Sequence, residues 1–339
     1  CGDDAAASCR GVRPPLRVER RRPWLSGMWD AYVEAHPGGW FWHTTGWVVY
    51  QLEYAPGSQD CSFAVLDEEH RVVALAPLIL YYPVEGPPEL SYAGHPGPLP
   101  LTKESAAVEV AAEEIRHVVD VTGARVFRVS GHPFCETQGW FMKLSPASTT
   151  TTYRVINLER VPPWSDVRRS YRSIIHAGEA RDIQTTSMDL LVVRGALLGQ
   201  RGNPDAAYAE YQSLHRRVHF AGEKRPRADA TYRMQAEWLR DGRAAVTLAT
   251  VDGVTWGAAY WFLYKGDAYY GSGAYAAPNV AHAVIWRGLL DLRALGVRRV
   301  SLGWRGVAQT DKERNIEFFR GGFGGVDVPV LVADVVVGG

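Results

Sequence analysis

The stretch DKERNIEFFRGGFGG, from Asp311 to Gly325, lies close to the end of the sequence. Its first residues favour a helix over 312–319, with Asp311 placed as the cap and Gly321 and Gly322 as the stop. One glycine is enough to end a helix, so four glycines beside a single arginine need a further explanation. Arg320 followed by backbone amides without side chains suits an oxyanion or a phosphate. The pattern therefore predicts both a helix end and a ligand site.

The composition bounds the class of protein. Of the 339 residues, 46% are hydrophobic, which is enough for packed cores in one large or two ordinary domains. Lys+Arg and Asp+Glu balance at 37 each, so a polyanion would have to bind a local patch. The longest strongly apolar run, from Val72 to Val84, is too short to span a bilayer. Four cysteines without CxxC spacing or nearby histidines argue against zinc and disulfide scaffolds and favour a reducing cytoplasm.

Both halves of the chain show the same order of patterns: helix, antiparallel hairpin, strand, helix, strand. In the first half, a hairpin pattern over 61–82 precedes a helical pattern over 103–123 that ends at a glycine. In the second half, Asp252 and Gly253 between alternating apolar runs are typical of a hairpin turn. A helical pattern over 279–296 again ends at a glycine. The order predicts an α+β fold.

The sequence lacks the GxSxG, HExxH and GxxxxGK[ST] motifs, so covalent, zinc-protease and P-loop chemistry lose their usual support. Arg168 and Arg172 share one face of a predicted helix, and their forks suit phosphate oxygens, although a solvated face explains them equally well. His215 and His219 have metal-ligand spacing without a third ligand, which favours a structural role; His219 could alternatively orient an acyl acceptor. The small residues of YYGSGAY, 269–275, suit either a ligand along a strand or core packing.

Several segments, taken in order, resemble the FemABX-like aminoacyltransferases, relatives of the GNAT-type acyltransferases. The residues from Phe319 to Gly325, FRGGFGG, are similar to the F-K-x-G-F-G-G end of that family, and the preceding VIWRGLLDLRALGVRRVSLGW extends the match. FWHTTGWVVYQLEY (41–54) resembles the early F-x-Q-S-x-x-W segment and YAGHPGPLP (92–100) the Y-x-x-x-G-P loop. VRRSYRSIIHAGEA (167–180) resembles the arginine-rich helix.

The resemblance implies two GNAT-like domains that face a shared cleft, each a mixed, mostly antiparallel sheet flanked by helices. We place the first domain at 23–157, joined by a last strand at 326–337, and the second at 158–325. Residues 1–22, with the basic run RVERRR and no apolar signal core, are predicted to be a flexible arm.

The resemblance also implies direct transfer of an aminoacyl group from aminoacyl-tRNA to a primary amine of a small metabolite or peptide, as in natural product biosynthesis. No metal, no cofactor beyond the co-substrate and no membrane insertion are expected. The basic arm and the helix of Arg168 would supply the charge that tRNA needs. The alternative is an acyl-CoA-dependent enzyme that acts on an amino sugar or another amine. A third interpretation is a catalytically silent binding module that keeps the cleft.

By position, Arg320 takes the place of the family's lysine, with the role of stabilising an oxyanion or phosphate, and Asp311 is a partner for the amine or for Arg320. Together with His219 they form the predicted catalytic set. Tyr50 stands where the Fem enzymes carry a phosphate-binding lysine, which argues against a UDP-linked peptidoglycan precursor. The predicted substrate-binding residues are Arg168, Arg172, Tyr270, Tyr275, Trp304, Arg305, Phe323 and Gly324.

Overall fold

The fold is described from a computed structural model of the chain. Helices pack on the faces of two β-sheets. The described residues are 16–102, 105–135, 149–159, 164–184, 192–196, 203–221, 227–251, 254–277, 279–305 and 310–336.

The amino-terminal half contains three helices and a series of short strands within the described ranges. The antiparallel pairing of β3 with β4 confirms the predicted hairpin, and α3 confirms the helix that ends before a glycine. The elements are β1 Arg17–Arg20, α1 Ser26–Ala35, α2 Thr45–Tyr54, β2 Gln59–Asp60, β3 Phe63–Leu66, β4 Val72–Ala76, β5 Ile79–Tyr81, β6 Glu89–Leu90, β7 Gly97–Pro98, β8 Leu101–Thr102, α3 Ser105–Thr122 and β9 Val126–Ser130. Short 3-10 turns span Pro23–Leu25 and Phe41–His43.

The carboxy-terminal half has longer strands. The antiparallel pairing of β12 with β13 confirms the second predicted hairpin. The elements are β10 Thr149–Asn157, α4 Arg169–Gln184, β11 Val192–Ala196, α5 Pro204–Ala221, α6 Asp229–Arg240, β12 Ala244–Val251, β13 Val254–Tyr264, β14 Asp267–Tyr275, α7 Val280–Ala294, β15 Arg299–Arg305, α8 Asp311–Gly321 and β16 Val326–Val336, with a 3-10 turn at Trp164–Asp166. In the described ranges, none of the helices is both long and apolar enough to cross a bilayer.

The larger sheet runs through both halves of the chain. Its strand order is β11-β12-β13-β14-β15-β10-β16-β9-β6-β5-β2, with β7 beside β9, and the smaller sheet has the order β1-β3-β4-β8. Strand β16 lies between β10 and β9 and pairs antiparallel with both. Most neighbours in the sheets are antiparallel, and helices cover the faces, so the predicted α+β class is confirmed. The domain boundaries stay a prediction, because one sheet crosses them.

Strand β1 lies in the segment predicted to be a flexible arm. It pairs antiparallel with β3 over its whole length. Arg20 forms an ion pair with Glu114, and Arg21 with Asp60 at 2.6 Å. The structure differs from the prediction here because an open strand edge and two carboxylates order this basic run. Residues 1–15 lie outside the described residues.

Helices cover both faces of the central strands β12 to β14. Successive side chains of a strand point to opposite faces, and the fully buried neighbours Tyr260 and Trp261 therefore enter different cores. The Tyr260 hydroxyl donates to the Gln235 carbonyl of α6 at 2.8 Å. The Trp261 ring lies so close to Gly288 of α7 that a Cβ on that glycine would overlap it. This close packing holds β13, the strand that pairs with β14 beside the candidate site.

A lysine joins the turn between β13 and β14 to the first half. The Lys265 ammonium donates to the carbonyl oxygens of Val33 at 2.7 Å, His36 at 2.8 Å and Gly39 at 3.2 Å. These carbonyls lie at and after the end of α1, where helical oxygens lack partners in their own helix. The lysine therefore ties this turn to three main-chain oxygens of the first half.

Helix α8 confirms the helix predicted before the glycines, with a different cap. Thr310 is the N-cap: its hydroxyl accepts from the Glu313 amide, and the Glu313 carboxylate accepts from the Thr310 amide. Asp311, the predicted cap, is instead the first helical residue. Thr310 takes the role because a threonine followed three residues later by a glutamate forms a capping box.

Candidate functional site

The candidate site is a gap between two parallel strands of the larger sheet. β14 and β15 pair only over residues 267–269 and 299–301. Further along β15, Gly303 has a φ of +102°, and the register of β15 against β10 shifts at this point. We call the space between residues 270–275 and residues 302–305 the strand gap. Backbone N–H and C=O groups at such unpaired strand edges can bind a ligand.

The guanidinium of Arg320 reaches β15 at the strand gap from the last turn of α8. Its Nη1 donates to the Trp304 carbonyl oxygen at 2.6 Å. A Cβ built on Gly303 would lie 3.1 Å from Cζ, Nη1 and Nη2 of this arginine, which is tighter than ordinary van der Waals contact. A glycine at position 303 thus leaves the room that the guanidinium occupies. The cation also lies where the helix dipole favours positive charge.

Two phenols meet on the opposite wall of the gap. The hydroxyls of Tyr270 and Tyr275 lie 2.9 Å apart. A Cβ on Gly273 would overlap both oxygens, so this glycine is required for the phenols to converge. Burial raises the pKa of Tyr270 to about 12 and that of Tyr275 well above its ordinary value, while the charge of Arg320 lowers both in part. Both phenols are therefore protonated at neutral pH and can donate hydrogen bonds.

The charge of Arg320 also acts on two phenols nearer the first half of the chain. Burial raises the pKa of Tyr153 on β10 and of Tyr269 on β14, and Arg320 lowers both in part. Trp42 packs edge-on against Tyr269 with ring centroids 4.9 Å apart. Aromatic side chains from both halves of the chain therefore lie in the neighbourhood of Arg320.

A second arginine lies in a pocket lined by phenols, which we call the Arg227 pocket. Arg227 donates to the Tyr50 hydroxyl at 3.3 Å and also hydrogen-bonds to Tyr211. Its Nε is buried and has no hydrogen-bond partner among the described residues, and no carboxylate in these ranges forms an ion pair with it. Tyr211 shares a 2.6 Å hydrogen bond with Ser272 of β14, which connects this pocket to the strand gap. A guanidinium enclosed in this way favours an anionic ligand.

Comparison with known proteins shows which solved structures share this architecture. No protein-family model matches the chain, and no curated protein matches it in sequence. Solved structures do match over nearly the whole chain. FemX aligns with a TM-score of 0.64 and 10% identity, over 95% of this chain and 97% of its own. The chain has a FemABX-like fold.

Two further structures share the FemABX-like fold. A conserved protein of unknown function from Bacteroides thetaiotaomicron aligns with a TM-score of 0.59 and 6% identity, over 95% of this chain and 100% of its own. L-PGS from Bacillus licheniformis aligns with a TM-score of 0.56 and 12% identity, over 93% of this chain and 92% of its own. The predicted resemblance is thus confirmed at the level of the fold.

Of the predicted site residues, the FemABX-like fold brings four together. Tyr270 and Tyr275 form one wall of the strand gap, and Trp304 holds the Arg320 guanidinium at the other. Asp311 lies at the opposite end of α8, is exposed, and forms an ion pair with Arg314. The expected pairing of Asp311 with Arg320 is therefore wrong, since the length of the helix separates the two side chains.

Four predicted residues contact the protein itself. Arg168 donates to the Phe318 carbonyl at 3.2 Å and stacks on the Phe318 ring at 3.6 Å, at the end of α8. Arg305 forms an ion pair with Asp327 at 2.9 Å. Phe323 is fully buried in the core against Tyr171, and its predicted contact with substrate stays a prediction. His219 stacks on His215 at 4.0 Å between ring centroids. For Arg172, the described residues provide no side-chain hydrogen bond or ion pair.

The glycines after α8 are explained mainly by contacts with the chain itself. A Cβ on Gly322 would overlap the Tyr171 ring, and one on Gly324 would lie 3.0 Å from the Cβ of Asp166. Gly324 and Gly325 also have φ values near +80°, at +82° and +81°, a conformation that favours glycine. The predicted row of open amides differs from this arrangement, because the loop packs against its own strand and helix.

Sequence reasoning missed Gly303, Arg227 and the role of Tyr50. Gly303 lies inside a strand pattern, where an isolated glycine signals a bulge or a close approach, so a local signal existed. Arg227 and Tyr50 are 177 positions apart in the chain. Neither position alone indicates a shared pocket.

Proposed function

We propose that this protein is an N-acyltransferase that moves an acyl group from an activated ester to a primary amine and forms an amide. The observation that carries the proposal is the strand gap, where the Arg320 guanidinium is bound to the Trp304 carbonyl and its charge acts on the paired, protonated hydroxyls of Tyr270 and Tyr275. A fixed cation and neutral donors in a partly buried gap suit the charge that develops on a carbonyl oxygen during acyl transfer.

The reaction needs no covalent enzyme intermediate. The amine nitrogen attacks the ester carbonyl carbon, a C–N bond forms, and the carbonyl electron pair moves to oxygen. Arg320 and the Tyr270 hydroxyl stabilise this oxyanion. When it collapses, the C–O bond to the leaving group breaks, and the proton lost by the amine goes to the leaving oxygen. Tyr275 supports this transfer by holding the Tyr270 hydroxyl in place.

We propose aminoacyl-tRNA as the donor, in line with the resemblance of FRGGFGG to the Fem enzymes. A second candidate, transfer from acyl-CoA to an amino sugar or another amine, is favoured by the strand gap. The open backbone edges of that gap can pair with the amide groups of an extended thioester arm.

The Arg227 pocket limits which class of amine can be the acceptor. We propose that the acceptor carries its amine at the strand gap and an anionic group at Arg227. Tyr50 stands where the Fem enzymes carry a phosphate-binding lysine, so the pocket has one cation, and a group with one negative charge fits it better than a diphosphate. A small amino-acid-like metabolite or a peptide has this chemistry, as expected for a specialised biosynthetic pathway.

Two assays test the proposal. The protein is incubated with radiolabelled aminoacyl-tRNA, or with acyl-CoA, and a panel of primary amines with and without a carboxylate. Arg320→Ala should lower kcat by about 100- to 1,000-fold, the effect of losing one oxyanion donor. Arg314→Ala on the same helix is the control and should leave kcat unchanged. Product formation that persists after RNase treatment of the donor rules out tRNA, and equal activity of both variants rules out the site.

A further inference from the structure

Aromatic side chains line one face of the larger sheet beside the strand gap. Trp304 of β15 and Val328 of β16 both pair with Tyr153 of β10, so these three side chains lie next to one another on one face. Burial, and after it the neighbouring Tyr269 phenol of β14, raises the pKa of Tyr153, so the two rings are close. Trp42 packs edge-on against Tyr269, with ring centroids 4.9 Å apart. We call these five residues the aromatic wall.

The other face of the same strands is ionic. Arg154 and Arg305 form ion pairs with Asp327 at 3.2 and 2.9 Å. Helix α8 ends over this face, because a Cβ on Gly321 would lie 3.6 Å from Nη2 of Arg154 and 3.8 Å from Nη1 of Arg305. Side chains of a strand alternate between the two faces. The alternation therefore separates the charges from the aromatic wall, whose five members are all uncharged.

The aromatic wall is partly open to solvent. The Trp304 side chain is 41% exposed, whereas its neighbour Tyr153 is buried. The Tyr153 hydroxyl hydrogen-bonds to Ser130 of β9, so its polar atom has a partner and its ring remains for packing. A half-exposed indole that continues a surface of buried rings marks a place where a further apolar group can pack.

The aromatic wall begins at the groups that would stabilise the oxyanion. The Trp304 carbonyl accepts from the Arg320 guanidinium at 2.6 Å, so one residue holds the cation and supplies the indole. Tyr269 and Tyr270 are consecutive and pack against cores on opposite faces of the sheet. Neighbouring strands lie about 5 Å apart. A carbonyl carbon whose oxygen is held by Arg320 and Tyr270 can therefore place a side chain on the aromatic wall.

The Arg227 pocket lies on the other side of the strand gap from most of this wall. Tyr211 of that pocket shares its hydrogen bond with Ser272 of β14, whereas Trp304, Tyr153 and Val328 extend over β15, β10 and β16. The anionic group of the acceptor and the side chain of the acyl group therefore have separate places to bind.

Four classes of acyl group differ in how they would fit the aromatic wall. A small group such as alanyl would leave the Trp304 indole in water. A cationic side chain would be attracted by the rings but repelled by the like charge of Arg320. An acidic side chain would compete with the oxyanion for the same guanidinium. A large apolar side chain covers the indole and meets no charge.

We infer that the aromatic wall binds the side chain of the transferred acyl group, and that this side chain is large and apolar, with an aromatic ring as the best fit. The inference rests on the proposed function and names the class of its acyl group. It concerns only the acyl part of the donor, so it applies equally to an ester of tRNA and to a thioester of CoA. Trp304 and Val328, on either side of Tyr153, are the residues that set this specificity.

The first test measures binding without turnover. N-acetyl-phenylalaninamide, N-acetyl-alaninamide and N-acetyl-lysinamide are titrated against the full chain by ligand-observed NMR. The phenylalanine derivative should bind about 10-fold more tightly than the alanine derivative, because a partly open wall yields less than the full burial of a phenyl ring. The lysine derivative should bind no more tightly than the alanine derivative.

Variants of the aromatic wall should change this preference. Trp304→Ala should weaken binding of the phenylalanine derivative by about 2- to 10-fold, the effect of one lost aromatic pair, and Trp304→Phe should keep most of the affinity. Trp24→Ala is the matched control, since Trp24 is 53% exposed in the turn before α1, and it should change no affinity. Val328→Asp places a carboxylate beside Tyr153 and should move the preference to the lysine derivative. Misfolding cannot produce such a gain, and thermal unfolding of each variant checks the fold.

The second test is the transfer assay with phenylalanyl and alanyl groups on the same carrier. The phenylalanyl donor should have the higher kcat/KM. Faster transfer of the alanyl group would reject the aromatic wall and keep the enzyme. A binding preference for the phenylalanine derivative without transfer of any acyl group would reject the proposed function and keep the wall. The inference is overturned by equal or absent binding of the phenylalanine and alanine derivatives, by tighter binding of the lysine derivative to the unaltered protein, or by an equal loss in Trp24→Ala.

Discussion

Gly303→Ala is the substitution that tests the strand gap most directly. The new Cβ would lie 3.1 Å from three atoms of the Arg320 guanidinium. The contact forces that group to move, because the backbone of β15 is held by its pairing with β10. The contact is relieved by a shift of a few tenths of an ångström, and a misplacement of about 1 Å costs about 100-fold in rate. We therefore expect kcat to fall by about 3- to 10-fold.

The backbone of this position contributes separately to stability. Gly303 has a φ of +102°, and a left-handed conformation costs an alanine about 1–2 kcal/mol. Gly296, after α7, provides a matched control: its φ is +82°, and a Cβ there would meet nothing within 4 Å. Gly296→Ala should lose a similar free energy of unfolding and keep its kcat.

The assay compares kcat and the urea midpoint of unfolding for both variants. A double variant with Arg320→Ala completes the comparison. If Gly303→Ala acts through the guanidinium, it lowers kcat no further once that guanidinium is gone. The reasoning is refuted if Gly303→Ala and Gly296→Ala have equal kcat, or if the loss from Gly303→Ala persists in full in the Arg320→Ala background.

Three further predictions concern charge and burial. Because burial raises the pKa of Tyr270 from 10.0 to about 12, the folded state keeps a proton that the unfolded state loses. The free energy of unfolding should therefore fall as pH rises over that interval, and less steeply in Tyr270→Phe, as measured by urea titrations. Lys265→Met removes three hydrogen bonds and should lower the free energy of unfolding by about 2–4 kcal/mol, whereas the exposed Lys312→Met should leave it unchanged. Equal urea midpoints of unfolding for the two variants would contradict this prediction. Arg227→Met should raise KM for an anionic acceptor and leave kcat unchanged. Thermal stability should be kept or increased, because an isolated buried charge is removed. An unchanged KM would exclude the Arg227 pocket as the site that binds the anionic group of the acceptor.

Local patterns predicted the elements of the fold well, and long-range pairing was harder to predict. The helix α8 and the two hairpins follow from capping residues, turn residues and alternation within short windows. Strand β1 did not follow, because its order depends on β3 and on carboxylates such as Glu114 that are distant in the chain. A basic run has the same composition whether it is paired in a sheet or free.

The candidate site was predictable only in part, because some of its residues are neighbours in sequence and others meet only in the folded chain. Arg320 and the pair Tyr270 and Tyr275 stand out by their neighbours in sequence. The glycines beside Arg320 indicate only that something approaches the backbone closely. The pattern cannot distinguish a ligand from the Tyr171 ring, which is what approaches Gly322. Arg227 and Tyr50 become a pocket only when the tertiary fold brings them together.

The position of β16 has a consequence for folding. Ser130 of β9 pairs with Val332, while β9 and β10 flank β16 and do not pair with each other. Until β16 is in place, both strands present open edges, and such edges invite pairing with other chains. Closing the sheet also requires contacts between very distant parts of the chain, which slows folding. We expect the two halves to be held as aggregation-sensitive intermediates until the last strand inserts, and chaperones that shield strand edges to raise the yield of folded protein.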